Sequence, residues 1–286
     1  MAAVLRVLLF ALIIALALVL EGVIIVAAVL LRGAHIAIHR STFTVLRAPQ
    51  YIAVEALVVV ALVVAMLVMA RIERRTLADY GFPFRRLFGR PLWNGLATGA
   101  LAASIVIAAM FACGTARIHG SGAGSAALAG SAALWAVATF LVGMSEELMF
   151  RGYAQSTLSR AFGFWPASIV MSITFTLGHT LNPGESALGV FSVFAFGLFF
   201  CYALRRFGDL RWLIGFHAAW DWTETALFGV PDSGLVATNA IFHTDLIGSG
   251  PFAGGSAGPE ATIFTPLVLA AIAFFVSKPA ARREPE

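Results

Sequence analysis

Apolar runs long enough to cross a lipid bilayer recur along this chain, and they decide its solvent before any motif does. A helix needs roughly 20 predominantly apolar residues to cross the hydrocarbon core, and runs that approach or exceed this length cover residues 4–31, 51–70, 91–113, 126–150, 164–181, 187–204, 212–228 and 261–276. Lipid offers no water to the peptide groups, so successive spans of this kind must fold as helices. Of 286 residues, 60% are hydrophobic and only 12% charged. The expected fold class is all-α, a polytopic transmembrane helix bundle of about eight spans. One integral membrane domain is expected over residues 1–286, with the core site region at 126–228 and a cytoplasmic tail at 277–286. Arg6 and the apolar stretch after it resemble a signal peptide, but the run resumes after Glu21 and continues to Leu31, too long for a signal h-region, and reads as the first span.

The net charge of +4 does not point to nucleic acid, because the basic residues sit in short loops. Arg71, Arg74, Arg75, Arg85, Arg86 and Arg90 separate spans two and three, Arg205, Arg206 and Arg211 separate six and seven, and Lys278, Arg282 and Arg283 follow the last. Such loops stay in the cytoplasm. The expected location is the bacterial cell membrane, multi-pass, with both termini cytoplasmic; Arg32, Arg40 and Arg47 in the first loop run against the rule. The loop at residues 229–260 has Asp232, Asp245 and Glu260 but no Lys or Arg, which suits the opposite face. Residues 120–130 and 248–258, rich in Gly and Ser, read as flexible loops. Cys113 and Cys201 are far apart in apolar runs and read as small buried hydrophobes.

Ionisable residues inside spans are costly and mark function by default. Glu146 and Glu147 are adjacent, with Arg151 four positions after Glu147. Residues four apart share a helical face while neighbours differ by about 100°, so Glu147 reaches Arg151 and Glu146 points elsewhere. The expected division is Glu147 as the charge-compensated lock and Glu146 as the base that activates water. His179 lies four residues after Phe175, and His217, Asp221 and Glu224 follow at i, i+4 and i+7. On that stripe Asp221 is placed to orient the His217 imidazole, and Glu224 reads as its outer end. Glu146 is about 6 Å from a helix end at Phe150 but about 21 Å from one at Arg160. Bringing it to the histidines therefore calls for a fourth span that is long or broken.

Three motifs in this order, Glu-Glu-xxx-Arg at 146–151, Phe-xxx-His at 175–179 and His-xxx-Asp at 217–221, resemble those of the CPBP family of intramembrane proteases, which includes CAAX prenyl proteases and bacteriocin-processing proteins. The resemblance implies an eight-helix fold and peptide-bond hydrolysis, with Glu146 activating water, His179 and His217 holding it or the oxyanion, and Glu147, Arg151 and Phe175 as structural support. The implied partners are a membrane-associated protein or peptide substrate and the lipid bilayer. The family often has asparagine at the last position, and an ionised Asp221 cannot donate a hydrogen bond to an oxyanion. Asp221 can instead orient His217 or join His179 and His217 in a metal sphere, so a divalent cofactor such as zinc stays open.

Other protease classes fit less well. His-Glu-xx-His is absent, Gly208-Asp209 has no aspartyl partner motif, and Ser145 of Gly143-Met-Ser145, which resembles a rhomboid start, is expected as helix context. Two non-enzymatic readings remain: a proton-coupled transporter relaying protons through Glu146, His179, His217 and Asp221, or a bacteriocin-immunity protein that acts by binding.

Overall fold

The computed structural model describes residues 2–31, 45–122, 124–182 and 184–277, and in it each of the eight apolar segments is helical. The helices are α1 (Ala2–Leu31), α2 (Ala48–Glu73), α3 (Arg90–Ala112), α4 (Ser125–Glu147), α5 (Gln155–Phe162), α6 (Phe164–His179), α7 (Ala187–Phe207), α8 (Arg211–Trp222) and α9 (Phe264–Ser277). The fold is an all-α membrane helix bundle. Among the described residues, five stretches are long and apolar enough to cross a bilayer: Ala2–Ile24, Ala48–Glu73, Arg90–Ala112, Ser125–Phe162 and Ala187–Phe207. Leu5, Leu8, Leu12, Leu16 and Val19 are exposed on α1, as suits a helix facing lipid. The calls on Arg32, Arg40, Lys278, Arg282, Arg283 and nearly all of the tail lie outside the described residues.

The fourth span is both long and broken. Beyond Glu147 the chain widens into a π-helical turn, Leu148–Ala154, kinks at Gly152 (φ −76°, ψ −114°) and continues as α5. A second π-helical turn, Thr223–Phe228, follows α8 and ends at Gly229, whose φ of 63° favours glycine. Each wide turn directly follows site residues, Glu146 and Glu147 in one case and Asp221 in the other. π-bulges are frequent at functional sites.

The connections sort to two ends of the bundle. At one end the basic loops meet: Leu210 N donates to Gly81 O at 2.8 Å, and the Arg211 guanidinium donates to Arg86 O at 3.0 Å. Arg6 at the start of α1 is 3.6 Å from Glu73, and Arg206 donates to Val276 O at the end of α9 at 3.1 Å. At the other end the loop after α8 is bound to its neighbours by short strands. β1 (Val45–Leu46) pairs in parallel with β3 (Val236–Ala237), and β2 (Ala116–Gly120) pairs antiparallel with β4 (Phe242–Leu246), Ala116 opposite Leu246. The flexible reading of residues 120–130 is corrected: Gly120 closes β2, and Ser125 opens α4 after an extended Gly124, because the alanine-rich run that follows has high helix propensity.

The tightest crossing joins α3 to α8. A Cβ at Gly95, Gly99 or Gly215 would overlap the backbone of Trp212, Phe216 or Leu92 respectively. Small residues spaced as in Gly95-xxx-Gly99 allow such close approach where lipid gives no hydrophobic drive for helices to pair. The same contact holds His217 in place, since Phe216 precedes it. Gly99→Val is expected to cost on the order of 1–3 kcal/mol or more through overpacking, read as a lowered thermal midpoint in detergent.

Candidate active site

Glu147 and Arg151 form the core of the site. Arg151 Nη1 donates to Glu147 Oε1 at 3.0 Å, and both side chains are fully buried. The rest of the guanidinium is held by aromatic faces rather than hydrogen bonds: its carbon is 4.3 Å from the Phe175 ring centroid, 5.1 Å from Phe200 and 5.8 Å from Phe150. Desolvated cation–π contacts of this kind contribute up to about 2 kcal/mol. The facing relation read from helical spacing is therefore the one observed.

Glu147 Oε1 has a second partner. His217 Nδ1 lies 2.9 Å from it, and a carboxylate beside an arginine only accepts, so Nδ1 carries the proton. Nε2 is then turned to Glu146, 3.7 Å away, and to Asp221, 3.8 Å away. The orienting group for His217 is thus Glu147 and not Asp221. Spacing of i, i+4 brings Asp221 close, but to the wrong nitrogen for that task. Phe200 stacks on the imidazole with ring centroids 5.3 Å apart and planes 21° apart.

His179, at the end of α6, is fixed through the same ring atom. Its Nδ1 donates to the carbonyl of Phe175 at 2.9 Å, which fixes the ring and leaves Nε2 for the cavity that His179 lines. The Phe175 ring lies between Arg151 and the His179 ring, the latter at 4.5 Å between centroids. Glu146, His179, His217 and Asp221 line one cavity of about 390 Å³, together with Tyr51, Glu55 and Ser145. Glu146 differs from its neighbour: its side chain is 26% exposed where that of Glu147 is 0%, and its Oε2 accepts no hydrogen bond.

Several lining residues escaped the sequence reading. Glu55 on α2 accepts from Ser145 Oγ at 2.6 Å. A glutamate inside a span was the available signal, the same that singled out Glu146. Asp232, Ser233 and Glu260 reach the cavity from the loop after α8, for which composition gave only an outward-facing segment. Burial and the neighbouring Glu260 carboxyl push Asp232 up to about 8, and burial raises Glu260 as well. Glu224 is not a solvated outer end but fully buried, and it clusters with Asp232 and Glu260. Among the described residues that trio is the group of possible ligands with atoms within 4.8 Å of one another; His179, His217 and Asp221 do not close into such a set.

Carboxylates and two fixed imidazoles thus share one polar cavity enclosed in a helical membrane bundle. The family model described as Rce1-like, type II CAAX prenyl endopeptidase, matches residues 128–223, the stretch that carries Glu146, Glu147, Arg151, His179, His217 and Asp221. The match covers about a third of the chain and supports the resemblance drawn from the motifs. No curated protein and no solved structure matches the chain significantly.

Proposed function

We propose that this protein is an intramembrane endopeptidase that cleaves a peptide bond of a membrane-associated protein or peptide, with Glu146 as the general base. The reading rests on one observation: Glu146 and the Nε2 side of His217 face each other at 3.7 Å across a cavity also lined by His179, while the far side of His217 is anchored to the buried Glu147–Arg151 pair. A water held in the cavity beside them would give its proton to Glu146 as it attacks the scissile carbonyl, and Glu146 would pass that proton to the leaving amine as the C–N bond breaks. His179 and His217, which line the same cavity, serve as oxyanion donors in the forms that carry a proton on Nε2. Asp221, 3.8 Å from His217 Nε2, supports that ring and is not itself an oxyanion donor.

The carrier reading has less support, because the polar groups converge on one cavity and, among the described residues, no paired broken spans stand at corresponding positions in two halves. The test is direct. Protein purified in detergent is incubated with membrane-protein peptides, and new termini are identified by mass spectrometry. Wild type is expected to cut internal bonds and Glu146→Gln to leave the same peptides intact. Equal cleavage by both proteins would remove Glu146 as the base, and no cleavage by wild type of any membrane peptide would favour immunity by binding.

A further inference from the structure

Beyond the ring of Glu146, His179, His217 and Asp221, three carboxylates from three separate segments converge. Glu224 comes from the π-helical turn after α8, Asp232 from the loop that follows, and Glu260 from the short helical turn Pro259–Ala261. One oxygen of each lies within 4.8 Å of the other two. Oxygens sharing a calcium ion at 2.3–2.6 Å stand at most about 5 Å apart, so the trio has the span of a single ion. A second observation is independent of the clustering. The Glu224 side chain is 0% exposed, and its oxygens make no well-formed hydrogen bond, the Trp220 indole being the one side-chain donor that acts on it. A carboxylate taken out of water with so little hydrogen bonding is costly, and a bound cation is one of the few ways to offset it.

The surrounding backbone is fastened in a way that holds the three groups together. Asp232 and Leu235 exchange backbone hydrogen bonds of 2.9 and 2.8 Å, and Gly234 N donates to Ala257 O at 2.9 Å. The Pro231 carbonyl occupies the space a side chain at Gly258 would need. Ser233 Oγ donates to Glu260 Oε2, which orients that carboxylate. These contacts distinguish the cluster from acidic residues scattered over a loop.

We propose that Glu224, Asp232 and Glu260 bind one calcium ion, which clamps the loop after α8 to the turn at residues 259–261. All-oxygen donors select hard cations over zinc or copper. Carboxylates borne on loops suit calcium, which accepts irregular geometry, better than magnesium, which demands an octahedron and keeps its waters. Asp232 and Glu260 also line the reaction cavity, so the ion closes its rim and sets a positive charge near it. None of the three carboxylates is among the residues assigned to peptide cleavage, so this site holds or falls without that assignment.

Full-length protein in detergent, stripped by dialysis against chelator, is titrated with CaCl2 by calorimetry and by thermal unfolding. One calcium per chain is expected, with a midpoint that climbs as calcium passes its Kd and an affinity at least tenfold lower in Glu224→Gln and Glu260→Gln. Magnesium and zinc are expected to bind more weakly. Absence of calcium binding by wild type, unchanged affinity in both variants, or a preference for zinc overturns the proposal. If neither variant folds, terbium luminescence on wild type decides: one terbium per chain displaced by calcium supports the site, and terbium that calcium does not displace rejects it.

Discussion

Arg151→Met is expected to cost on the order of 3–5 kcal/mol of stability, the usual consequence of removing one partner from a buried ion pair. Glu147 would be left fully buried with its charge uncompensated, and the aromatic box of Phe150, Phe175 and Phe200 would lose the cation it encloses. Methionine keeps the apolar length of arginine, so the cost isolates charge from volume. The double variant Glu147→Gln, Arg151→Met is expected to recover a large part of the loss, because no unpaired charge remains. It is not expected to recover peptide cleavage, since His217 Nδ1 would exchange a carboxylate for a neutral amide. Thermal unfolding in detergent alongside a cleavage assay reads both. A single variant as stable as wild type would mean that Glu147 and Arg151 do not hold the bundle together.

That prediction separates what the sequence made legible from what it did not. Helical spacing alone identified Glu147 and not Glu146 as the partner of Arg151, and it called for a fourth span that runs on past Phe150; the 3.0 Å pair and the kinked continuation to Phe162 agree. Local periodicity carries this information because both ends of each relation lie on one helix. The hydrogen bond from His217 to Glu147 joins residues 70 positions apart, and no local rule reports it. Spacing offered Asp221 as the nearest carboxylate to His217, and the nearer one came from another helix. The loop after α8 shows the same limit. Asp232 and Glu260 read as acids on an outer face because charge in a loop carries no depth, and the β1–β3 and β2–β4 pairings are among the contacts that turn that loop back over the cavity.

Glu146→Gln is expected to lower kcat for peptide cleavage by about 10²–10⁴, the range a positioned general base contributes, with KM unchanged. Glutamine preserves the shape and packing of Glu146 but cannot take a proton from water, so the loss falls on the chemical step and not on substrate binding. Stability should hold, because Glu146 contributes little to the fold: its side chain is partly exposed, its Oε2 accepts no hydrogen bond, and its neighbour His217 stands 3.7 Å off. The neighbouring position behaves in the opposite way. Glu147→Gln is expected to lose stability first and activity as a result, since Glu147 carries both Arg151 and His217. The contrast is the decisive measurement, because two adjacent glutamates with the same chemistry would respond alike if both were solvated anchors at a helix end. A Glu146→Gln protein that unfolds as Glu147→Gln does, or that cleaves at the wild-type rate, would assign Glu146 to structure and leave the water without its base.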